Sequence, residues 1–402
     1  MRLCVVAVAD SKRLKEIKNI IENAKINSSR LAISNGEISF ETETEYNQIL
    51  QLLPENIHFS LTEKLQTEAV KNSIPILPKR FSIYPPLLLL PPSTCSSIEK
   101  LSNEVYKEIL QHYSNLAPGK TTLTHLAINR PIPLNNEAVD SELEENTLRS
   151  PSSLTVLYGD FSNFWCHTIQ NGIYQTWMPT YTMFSRGNIK EKARILAPSK
   201  FDNENLRDGR ILPFKKVQGT VLDLYAGIGY FTLSYLHRGA RVLCWEINEF
   251  SVEGLRRAVQ KNNFGQCYII KKNEPIDPLK YNLASCVVFL ESNEYLLQRL
   301  SELTRFGITK EKLGLSHVNL GFLPSSEPSW DVVVDCIGRW ATSDEVWVHV
   351  HDNVAEGAEG EWASLVEQRY ARVNGQIQWI EKVKTYAPDV WHVVGDLRCS
   401  LL

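Results

Sequence analysis

The residue types best suited to chemistry cluster between Thr220 and Asn248, in the stretch TVLDLYAGIGYFTLSYLHRGARVLCWEIN. Gly227 and Gly229 would let the backbone approach a ligand closely. Glu246 closes an apolar run, where its two oxygens can accept both hydroxyls of a ribose. Asp223 sits inside the first apolar run, an unusual place to bury a carboxylate without a ligand nearby, and it would lie near the ammonium end of that ligand. Where a pyrophosphate-binding fingerprint has its third glycine, this chain has Phe231 and Thr232. The pattern D-x-x-x-G-x-G with an acid about 20 residues on therefore suits a nucleoside ligand bearing an ammonium group, which S-adenosylmethionine has. The plain alternative is a Rossmann-like sheet with an idle glycine turn. Further on, Asn319 ends an apolar run and Pro324 follows in the next loop, so both are candidates for handling an acceptor. For Asn319 the alternative is a turn-forming residue. His349 and His351 alternate onto one face, but no Cys or third ligand lies at zinc-like spacing, so no metal is expected.

The surrounding periodicity supplies the elements that position these groups. Val221–Tyr225 and Arg241–Trp245 are strands around a helical pattern, and a helix follows over Val252–Lys261. Cys267–Lys271 is the expected third strand, and its tip, Lys272-Asn273, would meet an adenine edge. Residues 275–313 have the texture of an insertion, with an apolar run Cys286–Leu290 and a helix Glu294–Leu303. His317–Leu320 and Val346–Val350 continue as fourth and fifth strands, separated by a helix over Ser329–Ile337. After a helix over Glu361–Val373, Trp379–Lys384 and Val390–Leu397 form a closing antiparallel pair. The expected catalytic domain, 217–402, is thus an α/β doubly wound, mixed seven-stranded sheet.

Upstream, 1–75 reads as a small α/β unit: a strand Leu3–Val8, a helix Ser11–Ala24, and a hairpin turning at Asn35-Gly36. Residues 76–153 form a Pro-rich and polar connection, with a helix around Ile98–His112 and an exposed loop over Pro133–Ser153. Residues 154–216 lead into the site through a strand, Leu154–Tyr158, and a hairpin about Asn171-Gly172. Between 186 and 216 nine basic residues face four acidic ones, although the whole chain carries −3. Arg186, Lys190, Arg194 and Lys200 in this segment are candidates for meeting a polyanion, against the bland reading of a solvated loop. His112 and His125 are isolated and structural. Eight cysteines without a C-x-x-C pair, several in apolar runs, point to reduced thiols and a cytoplasmic location. The apolar run Leu87–Leu90 is too short to span a bilayer, and the charged N-terminal segment is not a signal peptide.

The blocks WMPTYTMFSRGNIKEKARI, VLDLYAGIGYFTL, CWEIN, HVNLGFLPSS and VHVHDN, in that order, resemble the tRNA wybutosine-synthesising protein 2 family, relatives of the tRNA guanine-37 N1-methyltransferases. The resemblance implies a Rossmann-like class I S-adenosylmethionine-dependent transferase domain preceded by a smaller α/β region. It implies transfer of the 3-amino-3-carboxypropyl group of S-adenosylmethionine to carbon 7 of 4-demethylwyosine at position 37 of tRNA(Phe), leaving methylthioadenosine. The partner would be the anticodon stem-loop, met by a monomer without metal or membrane. Carried over by position, the cofactor contacts fall on Ser185, Lys192 and Glu246 and on Lys272-Asn273, where the family has an Asp before the Asn. Lys192 would face the cofactor carboxylate and Glu246 the ribose. A guanine-37 methyltransferase and a non-catalytic tRNA-binding protein are the alternatives.

Overall fold

The computed structural model describes residues 2–7, 14–25, 31–34, 37–42, 49, 51–53, 58–63, 80–94, 96–117, 119, 121–129, 154–197, 213–215, 217–342 and 345–400. The expected loop at 133–153, the Asn35-Gly36 turn and Lys200 lie outside these. The chain divides into two compact units, one of Met1–Leu77 with Cys95–Ile109, the other of Pro78–Thr94 with Leu110–Leu402.

In the first unit, β1 (Arg2–Ala7), β2 (Ala32–Ser34), β3 (Glu37–Thr42) and β4 (His58–Glu63) make an antiparallel sheet in the order β2-β3-β1-β4. The helix Leu14–Asn23 buries Ile17 and Ile21, one turn apart on the same stripe.

The second unit opens with a small sheet: β5 (Ser82–Tyr84), β6 (Leu87–Leu90), β7 (His125–Asn129) and β8 (Leu154–Tyr158), in chain order. The Pro-clamped run Leu87–Leu90 is therefore a strand, parallel to β7, with Leu87, Leu88 and Leu90 buried. A hairpin of β9 (Cys166–Gln170) and β10 (Ile173–Trp177) turns at Asn171 and Gly172, with φ of 52° and 78°. Two left-handed residues in a row are what an Asn-Gly hairpin turn requires. The His167 amide donates to the Pro85 carbonyl at 2.9 Å, joining the hairpin to the small sheet.

The main sheet has eight strands rather than seven. They are β11 (Thr220–Asp223), β12 (Arg241–Glu246), β13 (Gln266–Lys271), β14 (Ala284–Leu290), β15 (Leu315–Leu320), β16 (Val346–Ala355), β17 (Gln376–Ala387) and β18 (Val390–Cys399). Their order is β13-β14-β12-β11-β15-β16-β18-β17, with the first six parallel and β18 antiparallel to both its neighbours. The segment 275–313 is thus no insertion, because it supplies β14, which lies between β12 and β13. Burial explains the placement. Cys286, Val287, Val288 and Phe289 of β14 are fully enclosed, whereas β13, whose ends are exposed, takes the edge. Leu222, Leu243, Trp245, Phe289 and Val318 form one apolar layer with the helices Leu296–Thr304 and Trp330–Trp340. Val221, Val242, Cys244 and Val288 form the other with Thr232–His237 and Glu249–Lys261. Among the described residues, no helix is long and apolar enough to cross a membrane.

Candidate functional site

The parallel strands all end at one edge, where the loop after β11 meets the tips of β12, β14 and β15. This is where ligands bind in such sheets. Gly227 (φ +54°) and Gly229 (φ +89°) adopt left-handed backbone, which side chains disfavour. A Cβ at Gly229 would also lie 2.6 Å from Leu255, so that glycine lets the loop and the helix Glu249–Lys261 touch. One Glu246 oxygen accepts from the Gly227 amide and the other from the Asn248 amide, each at 2.8 Å. The acid thus fixes the loop, while burial raises its carboxyl above the usual range.

Asp223 is fully buried, and its carboxylate accepts from Thr232 Oγ at 2.6 Å and from Asn319 Nδ2 at 3.0 Å. Burial nonetheless raises its pKa. The expectation that it meets a ligand's ammonium is corrected here. Its oxygens are closed off, and it ties β11, β15 and the helix Thr232–His237 together. Asn319 is likewise 1% exposed, so it positions Asp223 rather than presenting itself to an acceptor. Its side-chain oxygen, Oδ1, has no hydrogen-bond partner among the described residues, while its backbone carbonyl accepts from the Leu224 amide at 3.1 Å. Pro324 does lie in the exposed loop after β15. That loop is anchored from β16: the Asn353 amide donates to the Pro324 carbonyl at 2.8 Å, and Asp352 accepts from Ser325 Oγ and Trp362 Nε1, each at 3.0 Å. Phe322 stacks on Tyr225 at 4.6 Å, bringing the loop over the end of β11.

A strap from Met178 to Arg186 crosses the glycine loop. Tyr230 donates to the Met183 carbonyl at 2.6 Å and accepts from the Ser185 amide at 3.1 Å. Lys192, on the helix Ile189–Leu196, lies 5.5 Å from the Tyr230 ring centre and donates to Gln170 and Gln175 at 2.6 and 2.9 Å. Both partners are neutral, and burial brings its pKa down to about 7. A second lysine that the sequence did not single out arrives from the far end of the chain. Lys384 of β17 donates to Ser185 Oγ at 3.4 Å, and burial lowers its pKa too. It reaches there across Gly187, where a Cβ would lie 2.4 Å from its Cδ. No carboxylate pairs with either lysine among the described residues.

A tRNA wybutosine-synthesizing protein 2 from Schizosaccharomyces pombe is 35% identical over an alignment 364 positions long, which covers 84% of this chain and 76% of that protein. The Saccharomyces cerevisiae protein of the same name is 36% identical over an alignment 377 positions long, which covers 80% of this chain and 74% of its own. The chain belongs to the tRNA wybutosine-synthesizing protein 2 family. No family model matches it. Among solved structures, Pyrococcus horikoshii TYW2 in complex with MeSAdo covers 88% of this chain and 97% of its own, at 17% identity and a TM-score of 0.47.

The family contacts expected at Lys272-Asn273 fall in the wrong place. They follow the edge strand β13, with β14 between it and β12, so they stand roughly 10 Å out, two strand spacings from Glu246. Asn273 is an exposed turn residue at φ 65°, and Lys272 is exposed over the Tyr295 ring. The tip beside Glu246 is Glu291-Ser292-Asn293. Asn293 donates to the Leu224 carbonyl at 3.0 Å, while Glu291 is held by Arg299 through two bonds of 2.8 Å. The wholly apolar run before this Asn was the signal for a central strand.

The basic residues expected to meet tRNA also separate. Arg186 is exposed beside Ser185, and Lys190 is ion-paired with Glu381. Arg194 is corrected outright. It is buried between Glu191 (2.7 and 2.9 Å) and Asp396, whose other neighbour is His349 at 2.8 Å. Burial would raise the Asp396 carboxyl, but Arg194 and His349 outweigh it and hold it at about 2. Glu191, which has Arg194 without a histidine bond, is instead raised by burial. His349 also meets His317, and His351 meets His392, each at 3.0 Å. The strand histidines are thus partnered in the protein interior.

Proposed function

We propose that this chain transfers the 3-amino-3-carboxypropyl group of S-adenosylmethionine to carbon 7 of 4-demethylwyosine at position 37 of tRNA(Phe). It would act through the anticodon stem-loop, as a cytoplasmic monomer. Family membership supports wybutosine biosynthesis on tRNA. The observation that supports a donor with an amino-acid arm is the pair of lysines without a counter-ion among the described residues, Lys192 beside the Tyr230 ring and Lys384 beside Ser185, while the choice of group rests on family membership. They suit the carboxylate of an amino-acid arm, which would supply the anion that buried Lys192 lacks. Gly227, Glu246 and Asn293 suit the nucleoside end, with Glu246 facing the ribose.

When bound, the donor supplies a carbon activated by a sulfonium, and the carbon–sulfur bond breaks with its electron pair leaving on methylthioadenosine. The new bond joins that carbon to carbon 7 of the base, whose proton passes to solvent. The protein's part is orientation: three carbons flank the sulfur, and anchoring the carboxylate decides which one meets the acceptor. The anchored loop Gly321–Ser326 and Arg186 are placed to receive the RNA side. Cys166, Cys244, Cys267, Cys286, Cys336 and Cys399 are free thiols, in keeping with a reducing compartment.

Hypomodified tRNA(Phe) incubated with donor labelled separately in the methyl and carboxyl groups tests the reading. Carboxyl label should enter the tRNA. Methyl label there would favour the guanine-37 methyltransferase, and neither label would favour a non-catalytic tRNA binder.

A further inference from the structure

A cavity of about 500 Å³ opens where the strap meets the small sheet β5–β8, and it is lined by none of Gly227, Glu246 or Asn293. Part of its wall is aromatic, a packed set of rings in which Trp177 and Tyr84 are buried and Phe184 is half-buried, and Leu87, Leu89, Pro91 and Met183 complete the lining. Trp177 and Phe184 stack at 4.2 Å with 11° between planes, and Tyr84 meets both edge-on, at 5.0 and 5.4 Å. Arg80 and Arg186 line the same cavity, both exposed, together with the amide of Asn129. Arg186 follows Ser185 directly, so the cavity is one residue away from the donor-side contacts.

We propose that this cavity holds one unpaired nucleotide of the tRNA next to the acceptor, its base on the aromatic wall and its phosphate on Arg80 and Arg186. The inference rests on the tRNA reading above. A fixed aromatic wall with neighbouring guanidiniums matches how single-stranded bases are held: ring faces stack on any base, and arginine takes the phosphate. Asn129 adds an amide that can bond a base edge. The volume exceeds what one base needs, leaving room for the ribose. Arg186's charge also reaches the Tyr84 hydroxyl, opposing the rise that burial causes there, which places cation and ring wall together. An apolar metabolite would leave both guanidiniums unused, whereas a nucleotide engages the rings, the cations and the amide.

The experiment uses the full chain and hypomodified tRNA(Phe) carrying 2-aminopurine, or an abasic site, at each unpaired anticodon-loop position in turn. At one position the bound probe should be quenched by ring stacking, and Phe184→Leu should remove that quenching. Arg80→Gln with Arg186→Gln should weaken binding of intact tRNA roughly tenfold or more and flatten its salt dependence. With the matching abasic tRNA, Phe184→Leu should have no further effect. Equal loss with every abasic tRNA, or no probe responding to Phe184→Leu, overturns the pocket. Donor affinity and label transfer are read on the same proteins. Transfer without any probe coupling refutes the pocket alone, whereas coupling without transfer refutes only the proposed reaction. A wild-type chain that binds no tRNA refutes both.

Discussion

Glu246 engages both carboxylate oxygens with backbone amides, yet each oxygen keeps a lone pair for a ribose hydroxyl. Glu246→Ala should therefore weaken donor binding about 150-fold or more, the worth of two hydrogen bonds to a charged group at about 1.5 kcal/mol each. Glu246→Gln, which keeps an acceptor for the loop, should lose less. Equilibrium binding checks this, and unchanged affinity in the alanine variant would remove the ribose assignment. Lys192 makes a separate prediction from its pKa of about 7. An anionic arm needs the charged lysine, which the free protein holds mostly below pH 7. Above that, binding must take up a proton, so affinity should fall by up to about tenfold per pH unit. Calorimetry in buffers of different ionisation enthalpy should show the uptake at pH 8. Lys192→Met should abolish both the uptake and the slope, whereas a pH-independent wild-type affinity would disprove the assignment.

At the scale of elements, a small residue at 187 matters because β17 must cross the strap there. A methyl group at Gly187 would collide with the flexible end of Lys384, which can swing away cheaply. Gly187→Ala should thus leave the unfolding midpoint nearly unchanged, within about 0.5 kcal/mol. It should still lower donor affinity as far as Lys384→Met does, and the double variant should be no worse than either single one. Additive losses would separate the two residues. The helix that follows, Ile189–Leu196, carries Arg194, which sequence alone grouped with surface cations because its neighbours are charged. Only the fold reveals Asp396, brought from the last strand. Arg194→Leu leaves two carboxylates buried and should cost about 3–5 kcal/mol in urea unfolding. A loss below 1 kcal/mol would mean that the network is not closed to water.

Across the whole molecule, what the sequence revealed was local: the glycine loop, Glu246, the Asn-Gly hairpin and the terminal strand pair each carry their signature within a few residues. What it concealed was order across the sheet. Two strands in succession, β13 and β14, both look apolar, and which one lies beside β12 depends on burial on both faces, which no single segment displays. Asp223 was misread for the same reason, since its partners Thr232 and Asn319 come from two other elements.

The sheet's polar face gives the last prediction. His351 and His392 share a hydrogen bond in the interior, and burial together with nearby Lys384 lowers the His392 pKa to about 4. Burial, His392, His349 and Arg194 lower that of His351. Both folded-state values lie below the ordinary 6.5, so the fold must hold neutral rings while the unfolded chain takes up protons. Stability from this pair is therefore complete above pH 6.5 and lost as pH falls toward 4, by up to about 3 kcal/mol for His392 alone. Glu191, Asp223 and Glu246, raised by burial, work in the opposite sense as they protonate, so the pair is isolated as the difference between the wild type and His392→Gln below pH 6.5. Urea unfolding there should show stability falling with pH, and His392→Gln should flatten the slope. Parallel slopes in the two proteins would show that the pair titrates alike in both states.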